Sequence, residues 1–383
     1  MIKPSFSFVV SILAATTAIC QQTARLEIKK LPVHHPAGSS IYMAGNFNGW
    51  NPKDDQYTFK QLPDGTYALD IKLEPGKYEY KITRGGWDKV ECKKDGSGIE
   101  NRVLTVTNNM SVQLEIEEWK DRIPEKPKSS TASRHVHVID TAFWIPQLKR
   151  QRRIWIYLPA GYESSEDKSR YAVLYMQDGQ NIFDDATSFS GEWGIDETLD
   201  SSKKNLIVVG IDHAGEKRLN EYNPYDTERF GRGEGSAYVD FIVKTLKPYI
   251  DKNYRTRKDK QHTMIAGSSL GGLISMYAVL KYPKVFGAAA LFSPSFWVAP
   301  EIYTLMKQKG KKVKSNLYFF VGKMEGESMV PDMLRAFSTM AAVSKSNMKS
   351  VIRDEGKHNE TTWRKEFPDA LQFMTTGELA RKK

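Results

Sequence analysis

One pentapeptide constrains the fold of this chain more than any other stretch: Gly267-Ser268-Ser269-Leu270-Gly271, with Ser269 at its centre. Before it, Thr263-Met264-Ile265-Ala266 is apolar and β-prone and follows the polar Lys258-Asp259-Lys260. After it come Gly272 and then Leu273-Ile274-Ser275-Met276-Tyr277-Ala278-Val279-Leu280, a helix-prone run closed by Pro283. A strand, a sharp turn holding a serine and a helix make a nucleophile elbow. Such a turn strains the backbone at the serine, and glycines on either side let strand and helix pass closely. The serine oxygen then projects beside a helix N-terminus, whose N–H groups favour developing negative charge. Pentapeptides of this kind also arise by chance, so an acid and a histidine must follow at later strand ends to give this one meaning.

At 383 residues the chain exceeds one ordinary domain, and two are expected. The 40% hydrophobic and 11% aromatic content suits well-filled cores. The net charge of +10 is spread along the chain, and its densest runs, Lys149-Arg150-Gln151-Arg152-Arg153 and Arg381-Lys382-Lys383, are short. That distribution reads as a solvated basic surface and argues against nucleic-acid binding. Zinc-type and phosphate-loop spacings are missing, so neither a metal nor a cofactor is expected.

Residues 1–20 read as a secretory leader: Lys3 supplies the positive start, residues 6–15 form an apolar core too short to span a membrane, and small residues follow at 15–18. Cleavage is expected beside Cys20, because Ile19 is bulky for a lipid-anchored cysteine. Cleavage after Cys20 leaves Cys92 without an intrachain partner. The expected location is secreted or periplasmic, with no transmembrane segment in the mature chain.

From about residue 23 to 119 the pattern is all-β. Short alternating runs (Ser40-Ile41-Tyr42-Met43-Ala44, Gly65-Thr66-Tyr67-Ala68-Leu69-Asp70-Ile71, Gly76-Lys77-Tyr78-Glu79-Tyr80-Lys81-Ile82, Val103-Leu104-Thr105-Val106-Thr107, Ser111-Val112-Gln113-Leu114-Glu115-Ile116) are separated by turn signals. Closely spaced short strands predict a small immunoglobulin-like β-sandwich. Gly45-Asn46-Phe47-Asn48-Gly49-Trp50, Tyr78-Glu79-Tyr80-Lys81 and Asn101-Arg102 make this region resemble a carbohydrate-binding module of the starch- and glycogen-binding type. The resemblance implies that flat aromatic rings, here Trp50 and Trp87, stack on sugar rings. Where that type often has a tryptophan-glutamate pair before the Asn-Arg step, this chain has Val90-Glu91. Residues 120–134, with two prolines and few apolar side chains, read as a linker.

From residue 135 to about 378, strands alternate with helices. Apolar strands are predicted at 153–159, 171–176, 205–211, 263–266, 287–292 and 316–321, and helical spacing is clear over 237–250. Near-continuous apolar strands separated by helices predict a mostly parallel sheet covered on both faces, the α/β-hydrolase arrangement. Chemistry in such sheets sits at the carboxyl ends of the strands. Val321-Gly322-Lys323-Met324-Glu325-Gly326-Glu327 places two carboxylates at one strand end. A further strand, Ser350-Val351-Ile352-Arg353, leads to Asp354-Glu355-Gly356-Lys357-His358-Asn359. The order serine, acid, histidine is the one this fold uses.

The roles follow from chemical need. A serine hydroxyl attacks only when a base takes its proton, and His358 is placed to be that base. A carboxylate must fix the imidazole tautomer, and Glu325, with Glu327 as second choice, is assigned to it. The Leu270 N–H and one from Asp178-Gly179-Gln180-Asn181, at Gly179 or Gln180, would hold the oxyanion, each donor contributing about 3 kcal/mol. His213 also follows a strand but precedes the serine, which suits a cleft or structural role. Trp193, Phe296 and Trp297 are candidates to line an acyl or sugar cleft.

Leu174-Tyr175-Met176-Gln177-Asp178-Gly179-Gln180-Asn181, Gly267-Ser268-Ser269-Leu270-Gly271-Gly272, Gly322-Lys323-Met324-Glu325 and His358-Asn359-Glu360-Thr361-Thr362-Trp363 make the second domain resemble an esterase family. That family includes esterase D, enterobactin-type siderophore esterases, and the feruloyl and acetylxylan esterases of carbohydrate esterase family one. In it the acid lies about three residues after the strand-end glycine, which favours Glu325. The resemblance implies metal-free ester hydrolysis through an acyl-enzyme. Together with the first domain it points to feruloyl or acetyl esters on plant polysaccharide or oligosaccharide. A siderophore esterase, or a carbohydrate-binding protein with an inactive hydrolase domain, are the alternatives.

Overall fold

The computed structural model describes residues 21–124, 128–164, 166–189 and 191–376. The expected leader with Cys20 lies outside the described residues, as do residues 377–378. Described residues up to 124 form one compact unit and those from 128 onward a second.

The first unit holds β1 (Gln22–Lys30), β2 (Ile41–Gly45), β3 (Thr58–Gln61), β4 (Tyr67–Leu73), β5 (Gly76–Thr83), β6 (Glu91–Cys92), β7 (Arg102–Val106), β8 (Met110–Glu115) and β9 (Glu118–Trp119). Seven of them form one hydrogen-bonded order, β7-β5-β2-β3-β4-β1-β8, in which β3 joins β2 to β4. Alternation places Leu26, Ile28, Leu69, Ile71, Ile82 and Leu104 in one core with Trp119. Four strands escape the sequence reading: β6 and β9 are only two residues long, and in β1 and β3 polar Arg25, Glu27, Lys60 and Gln61 dilute the apolar signal. Arg102, of the Asn-Arg step, pairs with Glu91, its Nε and Nη2 both donating to Glu91 Oε2 (3.0 and 2.8 Å). The Glu91 carboxylate also accepts the Ile82 N–H at 2.8 Å, so this pair braces the sheet. Cys92 is buried, which pushes its thiol up to about 11 and leaves it unreactive.

The second unit is built on eight strands: β10 (Val136–Ile145), β11 (Arg150–Tyr157), β12 (Ala172–Gln177), β13 (Leu206–Ile211), β14 (Thr263–Ser268), β15 (Ala288–Phe292), β16 (Asn316–Gly322) and β17 (Asn347–Arg353). Their order is β10-β11-β13-β12-β14-β15-β16-β17, antiparallel at the β10–β11–β13 edge and parallel from β13 onward. The helices are α1 (Ile195–Ser202), α2 (Arg218–Tyr222), α3 (Gly235–Phe241), α4 (Lys247–Asn253), α5 (Leu270–Lys281), α6 (Glu301–Lys309), α7 (Met329–Val343) and α8 (Glu360–Thr376). Strand β12 shows how both faces are used. Val173 and Tyr175 enter one core with residues of α3, α5, α6 and α7, while Leu174 and Met176 enter the other with residues of α1 and α8. Each such side chain, fully buried, contributes about 1.5–3 kcal/mol. This α/β-hydrolase-like layering leaves β14 central, with β12 and β15 as neighbours.

The helix read over 237–250 extends from α3 to α4 through a π turn at Ile242–Leu246. Pro248 follows directly; it lacks an N–H and its ring crowds the carbonyl four residues earlier, so the bonding pattern slips there. The division between the two units falls inside the expected linker, 120–134, whose ends carry contacts of their own. Lys120–Arg122 form a 3₁₀ turn within the first unit. Ser130 Oγ and Thr131 N donate to Asp184 (2.8 and 3.1 Å) and Ser133 N to Asp196 (2.7 Å), so residues 130–133 are bound to the second unit's body.

Candidate active site

Ser269 lies between β14 and α5 with φ 56° and ψ −123°, a conformation that costs a non-glycine residue on the order of 1–3 kcal/mol. Four backbone bonds hold it: its N–H donates to Phe292 (2.9 Å), and its carbonyl accepts from Gly272 (3.0 Å), Leu273 (3.2 Å) and Ser295 (3.0 Å). The flanking glycines are sterically required. A Cβ on Gly267 would lie 2.8 Å from Gln177 Cγ and from the Gly271 backbone, and one on Gly271 would lie 3.0 Å from Gln177 Cβ. The Ser269 hydroxyl shares a 3.1 Å hydrogen bond with that of Ser295.

Glu325 ends a 3₁₀ turn after β16, and its side chain is wholly buried. Its Oε1 accepts from Ser293 Oγ (2.7 Å) and from the Gly322 N–H (2.6 Å). Its Oε2 faces His358 Nδ1 at 2.9 Å. Glu327 is exposed and is not part of this group. His358 sits in the loop between β17 and α8, and that loop is fastened to the acid's loop by Met324 N donating to Gly356 O (3.0 Å). The contact is so close that a Cβ on Gly322 would lie 2.1 Å from the Gly356 carbonyl oxygen. Trp363 stands edge-on to the imidazole (centroids 5.1 Å, 82°) and donates its indole N–H to Ser293 (2.9 Å).

The turn after β12 carries Asp178, Gly179, Gln180 and Asn181. Asp178 adopts the left-handed conformation (φ 57°), and Gly179 packs so tightly on β13 that a Cβ would lie 2.8 Å from Gly210 and Ile211. The Gly271 position lies 3.2 Å from Asp178 Oδ2 by the same measure, so this turn and the start of α5 are side by side. As the first residue of α5, Leu270 has an N–H with no carbonyl one turn back to accept it. Burial raises the Asp178 carboxyl, but its two-pronged pair with Arg218 (2.7 and 2.9 Å) outweighs this and holds it below the usual carboxylate range. His213 takes a different role from His358. Burial lowers it to about 4, and its Nδ1 accepts the Gly215 N–H at 2.8 Å, so it is a neutral structural imidazole, while the residue's backbone N–H donates to Gln180 Oε1 (3.2 Å).

The aromatic candidates separate. Trp193 is 2% exposed, stacks on Trp363 (5.5 Å, 29°) and meets Phe292 edge-on. It therefore supports the histidine side from behind and offers no face to a substrate, contrary to expectation. Phe296 is likewise fully buried. Trp297, two residues beyond Ser295, is half-buried against Phe230 (6.1 Å). In the first unit Trp50 and Trp87 are half-exposed neighbours, 6.3 Å apart and inclined at 43°.

Sequence reasoning missed several residues here. Ser293 and Ser295 follow β15, the neighbour of the elbow strand, which is the signal that could have found them. Phe189 is 63% exposed, and its N–H donates to Asn181 Oδ1 at 3.2 Å, beside the turn. Glu360, the first residue of α8, accepts from Asn181 Nδ2 at 3.3 Å. Among the described residues, no group of three or more metal-ligating side chains is assembled.

The second unit matches the family model described as "Putative esterase" over residues 145–374, and the first matches the Pullulanase X25 domain over 35–121. The Bacillus subtilis protein YbbA is 28% identical over 243 residues, 58% of this chain and 92% of that one. The endo-1,4-beta-xylanase/feruloyl esterase of Xylanibacter ruminicola is 24% identical over 251 residues, 63% of this chain and 32% of that one. Among solved structures, the enterobactin esterase FES from Shigella flexneri aligns with a TM-score of 0.52 at 15% identity, covering 93% of each chain. At that identity the likeness is one of fold.

Proposed function

This chain belongs to the esterase family that its second unit matches, and from that premise we propose that it is a serine esterase cleaving acyl groups, feruloyl or acetyl, from carbohydrate. The observation that carries the mechanism is the buried Glu325 carboxylate against His358 Nδ1 at 2.9 Å, in the same sheet as a serine held at φ 56°. Glu325 keeps the imidazole proton on Nδ1, which leaves Nε2 free to take the Ser269 proton as Oγ attacks the ester carbonyl. The resulting oxyanion accepts from the Leu270 N–H and from an N–H of the Gly179-Gln180 turn. Collapse expels the alcohol, which takes the proton back from His358 and leaves an acyl group on Ser269. Water, activated by the same imidazole, then releases the acid.

The sugar direction is supported by the X25 match and by the Trp50–Trp87 pair, two half-exposed indoles presented by a strand-rich unit we read as an immunoglobulin-like sandwich of the carbohydrate-binding type. Residues 1–20 support secretion. Among the described residues no helix is long and apolar enough to cross a membrane.

The test is an ester panel run with the full chain: p-nitrophenyl acetate, feruloylated arabinoxylan oligosaccharide, acetylated xylan and a catecholate trilactone. Turnover of the sugar esters, abolished by Ser269→Ala, is expected. Turnover of the trilactone alone would reassign the substrate to siderophores. Failure on every ester, with no labelling by a serine-reactive phosphonate, would remove the esterase reading.

A further inference from the structure

Two groups must keep a fixed separation in the proposed reaction: the oxyanion donor after β12 and the imidazole before α8. They sit on loops far apart in sequence, and one side-chain hydrogen bond spans them. Glu360 Oε1 accepts from Asn181 Nδ2 at 3.3 Å. Asn181 closes the oxyanion turn, its N–H donating to Asp178 O (2.8 Å) while its carbonyl accepts from Trp193 (2.8 Å) and its Oδ1 from Phe189 (3.2 Å). Glu360 stands two residues beyond His358, is 9% exposed, and is not used by the mechanism above.

We propose that Glu360 is a positioning residue: through Asn181 it clamps the oxyanion turn to the histidine loop and so sets the distance between oxyanion donor and general base. This rests on the esterase reading.

The charged surroundings give the clamp a pH dependence. Burial, chiefly, and the neighbouring Asp178 carboxylate push Glu360 up to about 7, opposed by His358 on its own loop and by Arg218 of α2. Arg364, one turn along α8, is directed instead to Glu192 and Glu197 (3.9 and 3.5 Å). An ionised carboxylate accepts more strongly than a protonated one. The clamp is therefore tight above neutrality and loosens as pH falls through about 7.

The experiment measures kcat and KM for p-nitrophenyl acetate against pH in the full chain and in Glu360→Ala, Glu360→Gln and Asn181→Ala, with thermal melts to show each is folded. For Glu360→Ala, kcat is expected to fall on the order of ten- to a hundredfold with little change in KM, since geometry and not affinity is lost. Glu360→Gln keeps an amide oxygen for Asn181; it should restore most of kcat and delete a step near pH 7 that the wild-type profile contains. The Glu360→Ala/Asn181→Ala double variant should be no slower than Asn181→Ala alone. Unchanged kcat in a folded Glu360→Ala, equal losses in the Ala and Gln variants, or additive losses in the double variant would overturn the proposal. A wild-type chain inert to both the ester and a phosphonate would instead sink the esterase reading, and the clamp with it.

Discussion

Replacing Glu325 by glutamine tests the acid assignment at nearly constant volume. The carboxylate has two oxygens in different surroundings. Oε1 accepts two donors, Ser293 Oγ at 2.7 Å and the Gly322 N–H at 2.6 Å, while Oε2 meets His358 Nδ1 at 2.9 Å. The glutamine NH₂ must occupy one of these places. Set against Gly322 it would confront a backbone N–H that cannot rotate away, a buried donor–donor conflict costing about 1–3 kcal/mol. It therefore turns to His358 and donates to Nδ1. That forces the imidazole proton onto Nε2, the nitrogen that must receive the serine proton. A wrong tautomer of this kind lowers kcat by about four orders of magnitude, about 5.4 kcal/mol in barrier. Glu327→Gln, at an exposed position, should leave kcat within about twofold, as surface changes ordinarily do. The assay is steady-state hydrolysis of p-nitrophenyl acetate with thermal melts of both variants. A folded Glu325→Gln chain with kcat within tenfold of wild type would refute the reasoning, and equal losses in the two variants would remove the distinction between them.

Three further outcomes are expected. Phe189 is exposed and bonded to the oxyanion turn only through its backbone, so Phe189→Ala should leave the melting temperature unchanged and raise KM a few-fold for feruloyl over acetyl esters, the loss of about 1 kcal/mol of ring contact. Equal KM changes for both acyl groups would count against a substrate-facing ring. Trp50→Ala with Trp87→Ala should abolish retention on insoluble xylan or starch without changing kcat on p-nitrophenyl acetate; undiminished retention would return both rings to a structural role. Asp196 is held well above the usual carboxylate range, chiefly by burial, and one of its oxygens has no hydrogen-bond partner. A raised carboxyl favours folding at low pH and opposes it progressively above the unfolded value of about 3.9. Asp196→Asn, which keeps an oxygen for the Ser133 N–H, should therefore melt higher than wild type at pH 7 and no higher at pH 3. A gain of equal size at both pH values would dissociate the effect from ionisation.

Much of this arrangement was legible in the chain because parallel sheets impose a simple rule: reactive loops follow the carboxyl ends of strands. Thr263-Met264-Ile265-Ala266 and its glycines located Ser269, and the strand-end glycine at 322 located Glu325. What stayed hidden depended on pairs distant in sequence. The antiparallel edge β10–β11 was unreadable because β10 alternates weakly, with His137, Asp140 and Thr141 among its apolar residues. Trp193 looked like a binding aromatic since sequence records its chemistry and not its depth; only its packing beneath Trp363 reveals the support role. Asn181 and Glu360 are 179 positions apart, and no local pattern announces that they meet. The tethering of residues 130–133 escaped notice for the same reason: composition marks a stretch as able to be free, while Asp184 and Asp196, far downstream, make it bound.

The geometry also explains why the acid can be buried without misfolding the site. A carboxylate removed from water is costly unless hydrogen bonds replace its hydration. Glu325 receives three, and two of the donors are themselves fixed. Gly322 belongs to β16, and Ser293 is pinned by the Trp363 indole, which in turn stacks on Trp193. Those two tryptophans lie in the core cluster shared with Leu174, Met176 and Phe320, so the acid's position is referred back to the central sheet. The strained serine is tied to the same frame through Phe292 of β15. Ser269 is thus tied to β15 and Glu325 to the neighbouring β16, while His358, on the loop after β17, is more exposed and meets one carboxylate oxygen and one indole. A substitution at Trp193, remote from any substrate, should consequently act through the orientation of Trp363 and Ser293. It should lower kcat while leaving KM in place, the opposite of what the loss of a binding face would do.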